Sequence, residues 1–297
     1  MRVLGEARAS VPATCGELLQ GVDAEGPVLV SLPVDLWGTV QVQLTDDEGV
    51  VSVTPCLPHA RAALGLALDR AAWRGGATVR LGSEIPHARG MGSSTADVAG
   101  VIAGVAAAAG VELSPQELVA LMTRVEPSDS SPLCGLWAID HVGGRRAQRL
   151  ATMPAEWWLA VVDSGVPVRT VDVHAGCGPG PSLPAGVLRG TDWQDPVALA
   201  RVASESAMRS QERLPHPAFN TMRSVGRRLG ALGLCSAHSG SLCGLICAGS
   251  AAAVEARAAL TAGGLRAELY RACAPGLRVA APAVPGRGGQ TRPLLAS

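Results

Sequence analysis

Apolar and polar positions alternate from the start of the chain. Val3 to Val11 reads as a strand and Val28 to Leu32 as a second. Val40, Val42 and Leu44 interleave with Thr39, Gln41 and Gln43, the pattern of a half-buried strand. Val50 to Thr54 is expected to pair with it across an Asp46-Asp47-Glu48-Gly49 turn. The period then lengthens: Leu57 to Trp73 reads as a helix, and Ala77 to Leu81 returns to strand. Ala96 to Ala109 reads as a buried helix. The apolar run through Val111 is shorter than the ~20 residues of a membrane span and carries Asp97. Ser114-Pro115-Gln116-Glu117 has the layout of a capped helix start, with Pro in the first turn and Glu reaching back to Ser. That helix should stop near Val125, before Pro127.

The polar turn Glu126 to Ser131 precedes a strand-like Cys134 to Val142. Trp157 to Val162 reads as a buried strand ending in a plain turn, Asp163-Ser164-Gly165. Gly176 to Gly190 is a Pro/Gly-rich loop. Helices are expected at about Pro196–Arg213, Pro217–Leu232 (with Gly233 as its C-cap) and Ala251–Ala262, then a strand from Glu268 to Ala274. No internal repeat is present. The elements mix without regular βαβ alternation, which favours an α+β fold. A change of composition near Pro154 suggests two domains, 1–154 and 155–282, and a Pro/Gly/Arg-rich tail, 283–297, expected to be disordered.

Composition removes several classes. The 297 residues are 47% hydrophobic, enough for a sizeable core. The formal net charge is zero and no basic block stands out, which disfavours nucleic acid as a partner. No lysine occurs; all 25 basic residues are Arg. A Walker A loop, a protein-kinase strand lysine and a Schiff-base lysine are therefore excluded. Eight cysteines are scattered without a C-x-x-C pair, and the six histidines show no ligand spacing, so zinc is not expected. Cys15 reads as a small packed thiol with no identifiable His partner. No apolar leader segment opens the chain, and the cysteine pattern fits a reducing cytoplasm.

The chemistry concentrates in Ile85 to Val98, IPHARGMGSSTADV. Glycines let a backbone wrap closely around an anion, and the N–H groups and dipole of a following helix favour phosphate. Hydroxyls there can hold Mg²⁺ or bond phosphate oxygens. The same residues also suit an ordinary capped turn before a buried helix. Residue types alone leave both open.

Three blocks decide the expectation: Pro12-Ala13-Thr14-Cys15-Gly16-Glu17-Leu18-Leu19-Gln20-Gly21, Pro86-His87-Ala88-Arg89-Gly90-Met91-Gly92-Ser93-Ser94-Thr95, and His238 to Gly244. Their order and separation resemble the GHMP kinase superfamily of small-molecule kinases, whose central loop reads P-x-x-x-G-[LM]-G-S-S-[AT]. The first block, with Glu126-Pro127-Ser128-Asp129-Ser130 and Ala237-His238-Ser239-Gly240-Ser241, is similar to the L-threonine kinase branch of cobalamin biosynthesis. The resemblance implies two domains, the first like ribosomal protein S5 domain 2 and the second ferredoxin-like. It implies ATP and Mg²⁺ as cofactors and phosphorylation of the threonine hydroxyl to O-phospho-L-threonine. Homoserine, serine or another small alcohol is the alternative acceptor, and a non-catalytic nucleotide-binding homologue a third reading. Pro86, Arg89, Gly90, Met91, Gly92, Ser93, Ser94 and Thr95 would bind the nucleotide, Ser94 and Glu126 the metal, and Asp129 would act on the acceptor hydroxyl. Cys15, Glu17, Ser239 and Ser241 would line the acceptor site. The family's usual first-block lysine is missing, and Glu17 has two readings, substrate ammonium or fold stability. Which of Glu126 and Asp129 is ligand and which base is open. A small molecule is the expected partner, with no nucleic acid or membrane and with room for a homodimer.

Overall fold

The structure is a computed structural model that describes residues 2–153, 156–166, 178 and 180–280. The expected boundary at Pro154, positions 176, 177 and 179 of the expected loop, and the tail at 283–297 lie outside the described residues.

Strand β1 (Val3–Asp23) and strand β2 (Gly26–Thr45) form one long antiparallel hairpin. Both run well past the expected ends, and the reason is burial. β1 alternates up to Val11 and is then buried on both faces from Val11 to Gly21; β2 is buried on both faces from Val28 to Val34 and alternates only afterwards. A doubly buried stretch loses the two-residue period by which a strand is recognised. The two strands expected at 28–32 and 39–44 are thus one.

β3 (Val51–Thr54), helix α1 (Pro58–Arg70) and β4 (Gly76–Ser83) follow. β4 pairs with β2, and β3 lies parallel to β4 on its far side. The expected pairing of β3 with β2 is corrected: a parallel neighbour needs a crossover, and α1 supplies one. Helix α2 (Ser93–Ala109) begins at Ser93, so Ser93, Ser94 and Thr95 form its first turn rather than the preceding loop. It lies flush on the hairpin. A Cβ at Gly100 or Gly104 would come within 2.5 and 2.7 Å of Val40 and Val42. Helix α3 (Pro115–Thr123) carries the expected capping box: the Ser114 hydroxyl accepts from the Glu117 N–H, and the Glu117 carboxylate accepts from the Ser114 N–H.

β5 (Leu136–Ile139) and β6 (Ala147–Ala151) make a short antiparallel pair against β2. β7 (Trp158–Asp163), the single turn α4 (Val187–Gly190), and helices α5 (Pro196–Ser210) and α6 (Phe219–Leu229) come next. Gly230, at φ +69°, ends α6, while Gly233 opens β8 (Gly233–Ser236), so the expected cap at Gly233 is three residues late. β9 (Leu242–Cys247), helix α7 (Ser250–Ala262), β10 (Ala267–Arg271) and β11 (Arg278–Ala280) complete the described elements.

The sheet runs β10-β7-β9-β8-β1-β2-β4-β3, with β11 also on β1. A large apolar cluster packs α1, α2 and α3 against the β1–β2–β4 region. A smaller one packs α6 and α7 against β7, β9 and β10. Helices and strands mix as an α+β fold does, in two regions joined through β1. No helix among the described residues is long and apolar enough to cross a membrane. The described cysteines are all free thiols.

Candidate active site

β1 changes register between Pro12 and Ala13, between Thr14 and Glu17, and between Glu17 and Leu19. Bulges re-aim side chains, and here one brings Glu17 opposite Ser236 of β8. Gly16, at φ +67°, sits at the bend, where a Cβ would lie 2.6 Å from the Ser236 carbonyl carbon. The first sequence block therefore lies where the two regions meet, and Glu17 and Gln20 face a cleft of about 380 Å³.

The glycine loop forms the opposite wall. Gly90 and Gly240 touch backbone to backbone: a Cβ on Gly240 would lie 2.4 Å from the Gly90 Cα. The Ser241 N–H donates to the Arg89 carbonyl at 2.9 Å, fixing the second glycine turn on the first. Ala88 holds φ +57°, a costly conformation for a side-chain-bearing residue at the loop tip. Gly92 is the N-cap of α2, and no side chain caps the helix. Its first intrahelical bond runs from the Ala96 N–H to the Gly92 carbonyl, which leaves the amides of the first turn for a ligand.

Two carboxylates stand over this turn. Asp129 donates its N–H to the Thr95 hydroxyl at 3.1 Å, and that hydroxyl lies 3.4 Å from the Asp129 Oδ2. A Cβ on Gly92 would come within 2.7 Å of the same oxygen, so only glycine lets Asp129 approach. Burial pushes the Asp129 carboxyl up to about 6; the Thr95 bond pulls down and the Glu126 charge pushes further up. The Ser94 hydroxyl is hydrogen-bonded to Glu126. Burial raises Glu126, while the His59 charge favours its ionised form. Ser94 and Glu126 offer two hard oxygen donors in contact, the donor set that Mg²⁺ accepts beside phosphates and water.

At the β1 end burial disfavours the charged forms of Glu17 and His238. Glu17 is 4% exposed and accepts from the His238 N–H at 2.9 Å. Burial first, and the Asp129 charge second, hold its carboxyl well above the usual range. His238 is pushed down to about 3 by burial and by the Arg213 charge, and its Nε2 lies 3.1 Å from the Ser206 hydroxyl. Gln20 Nε2 lies 3.4 Å from His141 Nε2.

Of the residues singled out in the sequence, Glu17, Gly90, Gly92, Ser93, Ser94, Thr95, Glu126, Asp129 and Ser239 line the cleft. The rest do not. Cys15 is 1% exposed and its thiol packs with Cys235 in the core. Met91 is buried in the core, and its carbonyl accepts the Thr14 N–H at 3.0 Å. Pro86 is exposed at the loop entrance. Arg89 and Ser241 turn to Asp163, with Nε at 3.5 Å and the hydroxyl at 2.6 Å. Asp163, read as a plain turn residue, is thus the tie between both glycine turns. Sequence reasoning also missed His59, which lines the cleft with its Nε2 3.1 Å from Asp97. The signal was a single carboxylate, Asp97, within an otherwise apolar helix.

The profile of the GHMP kinases N terminal domain matches residues 58–135. The L-threonine kinase of Salmonella typhimurium is 33% identical over 256 residues, covering 81% of this chain and 82% of that protein. The chain belongs to the GHMP kinases. The L-threonine kinase of Citrobacter freundii is 32% identical over 81% of this GHMP kinase and 86% of the relative. In fold, a homoserine kinase from Cytophaga hutchinsonii superposes with a TM-score of 0.70 at 16% identity, over 92% of this chain and 97% of the other. This GHMP kinase is accordingly an ATP-dependent phosphotransferase with an alcohol acceptor, and a small molecule is its substrate class.

Proposed function

We propose that this GHMP kinase phosphorylates the side-chain hydroxyl of L-threonine to O-phospho-L-threonine. The observation that carries the acceptor is the pair of L-threonine kinases matched over four-fifths of the chain at 33% and 32% identity. The geometry agrees with the chemistry. Phosphoryl transfer to a hydroxyl is mainly positioning and charge stabilisation. The free amides of the α2 first turn would hold the terminal phosphates. Ser94 and Glu126 would hold Mg²⁺, which supplies charge neutralisation on the phosphates. Asp129, with its carboxyl at about 6, is ionised at neutral pH and would accept the hydroxyl proton. That assignment makes Glu126 the ligand and Asp129 the base. Glu17, already accepting one N–H, would receive the substrate ammonium. Ser239 would border the acceptor.

The same reading places the enzyme in the cytoplasm, on the route to cobalamin, acting on a free amino acid without nucleic acid or membrane. Its residues 1–154 would carry the nucleotide half. The test is ATP-to-ADP turnover with Mg²⁺ over threonine, serine, homoserine and simple alcohols, with the product identified by mass. Threonine-dependent formation of phosphothreonine is expected. Removing one methyl contact costs only ~1–3 kcal/mol, so slower serine turnover should accompany it. Preferential turnover of homoserine or another alcohol would overturn the acceptor and leave the kinase.

A further inference from the structure

Among the described residues, the side chains that line the cleft include three carboxyls, Glu17, Glu126 and Asp129, and neither Arg nor Lys. A nucleoside triphosphate brings several more negative charges into this cleft. The described side chains there that can carry a positive charge are three histidines, His59, His87 and His141. His87 is exposed on the loop, and His141 is buried beside Gln20. His59 differs from both. It stands in the first turn of α1, beside Pro58, and no side chain caps that helix. Its Nε2 lies 3.1 Å from the Asp97 Oδ2, and Asp97 is 2% exposed in the apolar wall of α2.

We propose that His59, held as an imidazolium by Asp97, is the cationic contact for the terminal phosphates of the bound nucleotide.

Among the described residues, His59 is the side chain that pairs with the buried Asp97. An isolated carboxylate in an Ala/Val-rich helix is costly, and a paired one is tolerated. Asp97 lies three residues after Ser94, so both face the same side of α2, one turn apart. That puts the imidazole next to the turn whose amides are free. The Asp97 bond raises His59 above its ordinary range, burial opposes it, and the Glu126 and Asp97 charges add to the rise. Protonated, the ring has an N–H on each nitrogen: one for Asp97 and one for a phosphate oxygen. A metal-ligand role fits less well, because Mg²⁺ prefers oxygen donors.

The inference rests on placing the phosphates at the α2 N-terminus, and the experiment separates the two. Equilibrium binding of ATP and of AMP is measured with Mg²⁺ and without acceptor, for the full chain and for the variants His59→Gln, His59→Arg, Asp97→Asn and Ser94→Ala. His59→Gln should weaken ATP by about tenfold or more, the scale of one charge-assisted hydrogen bond, and leave AMP unchanged. His59→Arg should retain more ATP affinity than His59→Gln, and Asp97→Asn should weaken ATP in the same direction by less. The acceptor KM should stay constant. ATP affinity that is unchanged in His59→Gln, or that falls equally for ATP and AMP, overturns the role. If Ser94→Ala loses ATP and His59→Gln does not, only His59 fails. If neither loses ATP, the phosphate placement itself fails. Should His59→Gln not fold, the Asp97→Asn result decides: unchanged ATP affinity there overturns the proposal.

Discussion

At the α2 end of the cleft, Glu126 sits against a hydroxyl and Asp97 against an imidazole, while at the β1 end burial disfavours the charged forms of Glu17 and His238. One end is built of helix amides and paired charges. The other is built of buried groups joined by backbone and hydroxyl bonds. The difference follows what each must receive. A polyphosphate arrives with its own charge and metal, and fixed dipoles and counter-charges suit it. On the proposed reading the acceptor arrives with a compact ammonium, and the buried Glu17 carboxyl would be its counter-charge. Asp129 lies between the two and has an intermediate character, titrating at about 6.

The comparison can be broken most sharply at that boundary. Asp129→Asn should lower kcat by roughly 10²- to 10⁴-fold while ATP binding survives, as steady-state kinetics and equilibrium binding would separate. In the wild type, kcat/KM should fall as pH drops below about 6, because the base becomes protonated, and should be level above it. An acid limb that is absent, or that persists unchanged in Asp129→Asn, removes Asp129 as the base. At the charged end, Glu126→Gln should raise the Mg²⁺ needed for half-maximal rate by about tenfold or more. An unaltered Mg²⁺ titration takes Glu126 out of the metal's surroundings.

At the β1 end the expected effect is smaller. Glu17→Gln should raise the acceptor KM about tenfold with little change in that for ATP, the scale of one hydrogen bond to a charged group. If its part is structural, the thermal midpoint falls and the KM does not move. The smallest effect lies outside the cleft. Ser114→Ala removes the α3 capping box and should cost about 1 kcal/mol in denaturant unfolding, with kinetics untouched.

Local rules made part of this legible. The capping box at Ser114 was readable because its partners are three residues apart, and the glycine loop because its residue types are needed wherever a backbone meets phosphate. Burial hid the middle of the hairpin. From Val11 to Gly21 and from Val28 to Val34 no face of the strand is wet, so no alternation survives to be read. Long-range pairing hid the rest. Asp163 looks like a turn former until Arg89 and Ser241 come to it from 74 and 78 residues away. His59 and Asp97 are 38 residues apart and become one unit only when α1 packs on α2. Cys15, in the middle of a motif, is buried against Cys235 in the irregular stretch of β1 between Thr14 and Glu17.

The pairing of β11 with Arg8–Ser10 has a consequence for how the chain is made. On a ribosome emitting about 5–20 residues per second, Arg278 leaves on the order of tens of seconds after Arg8. Throughout that interval one edge of β1 near Arg8 lacks its final neighbour, and an unpaired strand edge is a template for another nascent chain. Synthesis that stalls before residue 278 leaves that edge open for as long as the stall lasts. Delivery of β11 is thus the step of synthesis that covers this edge, a property invisible in the finished cleft.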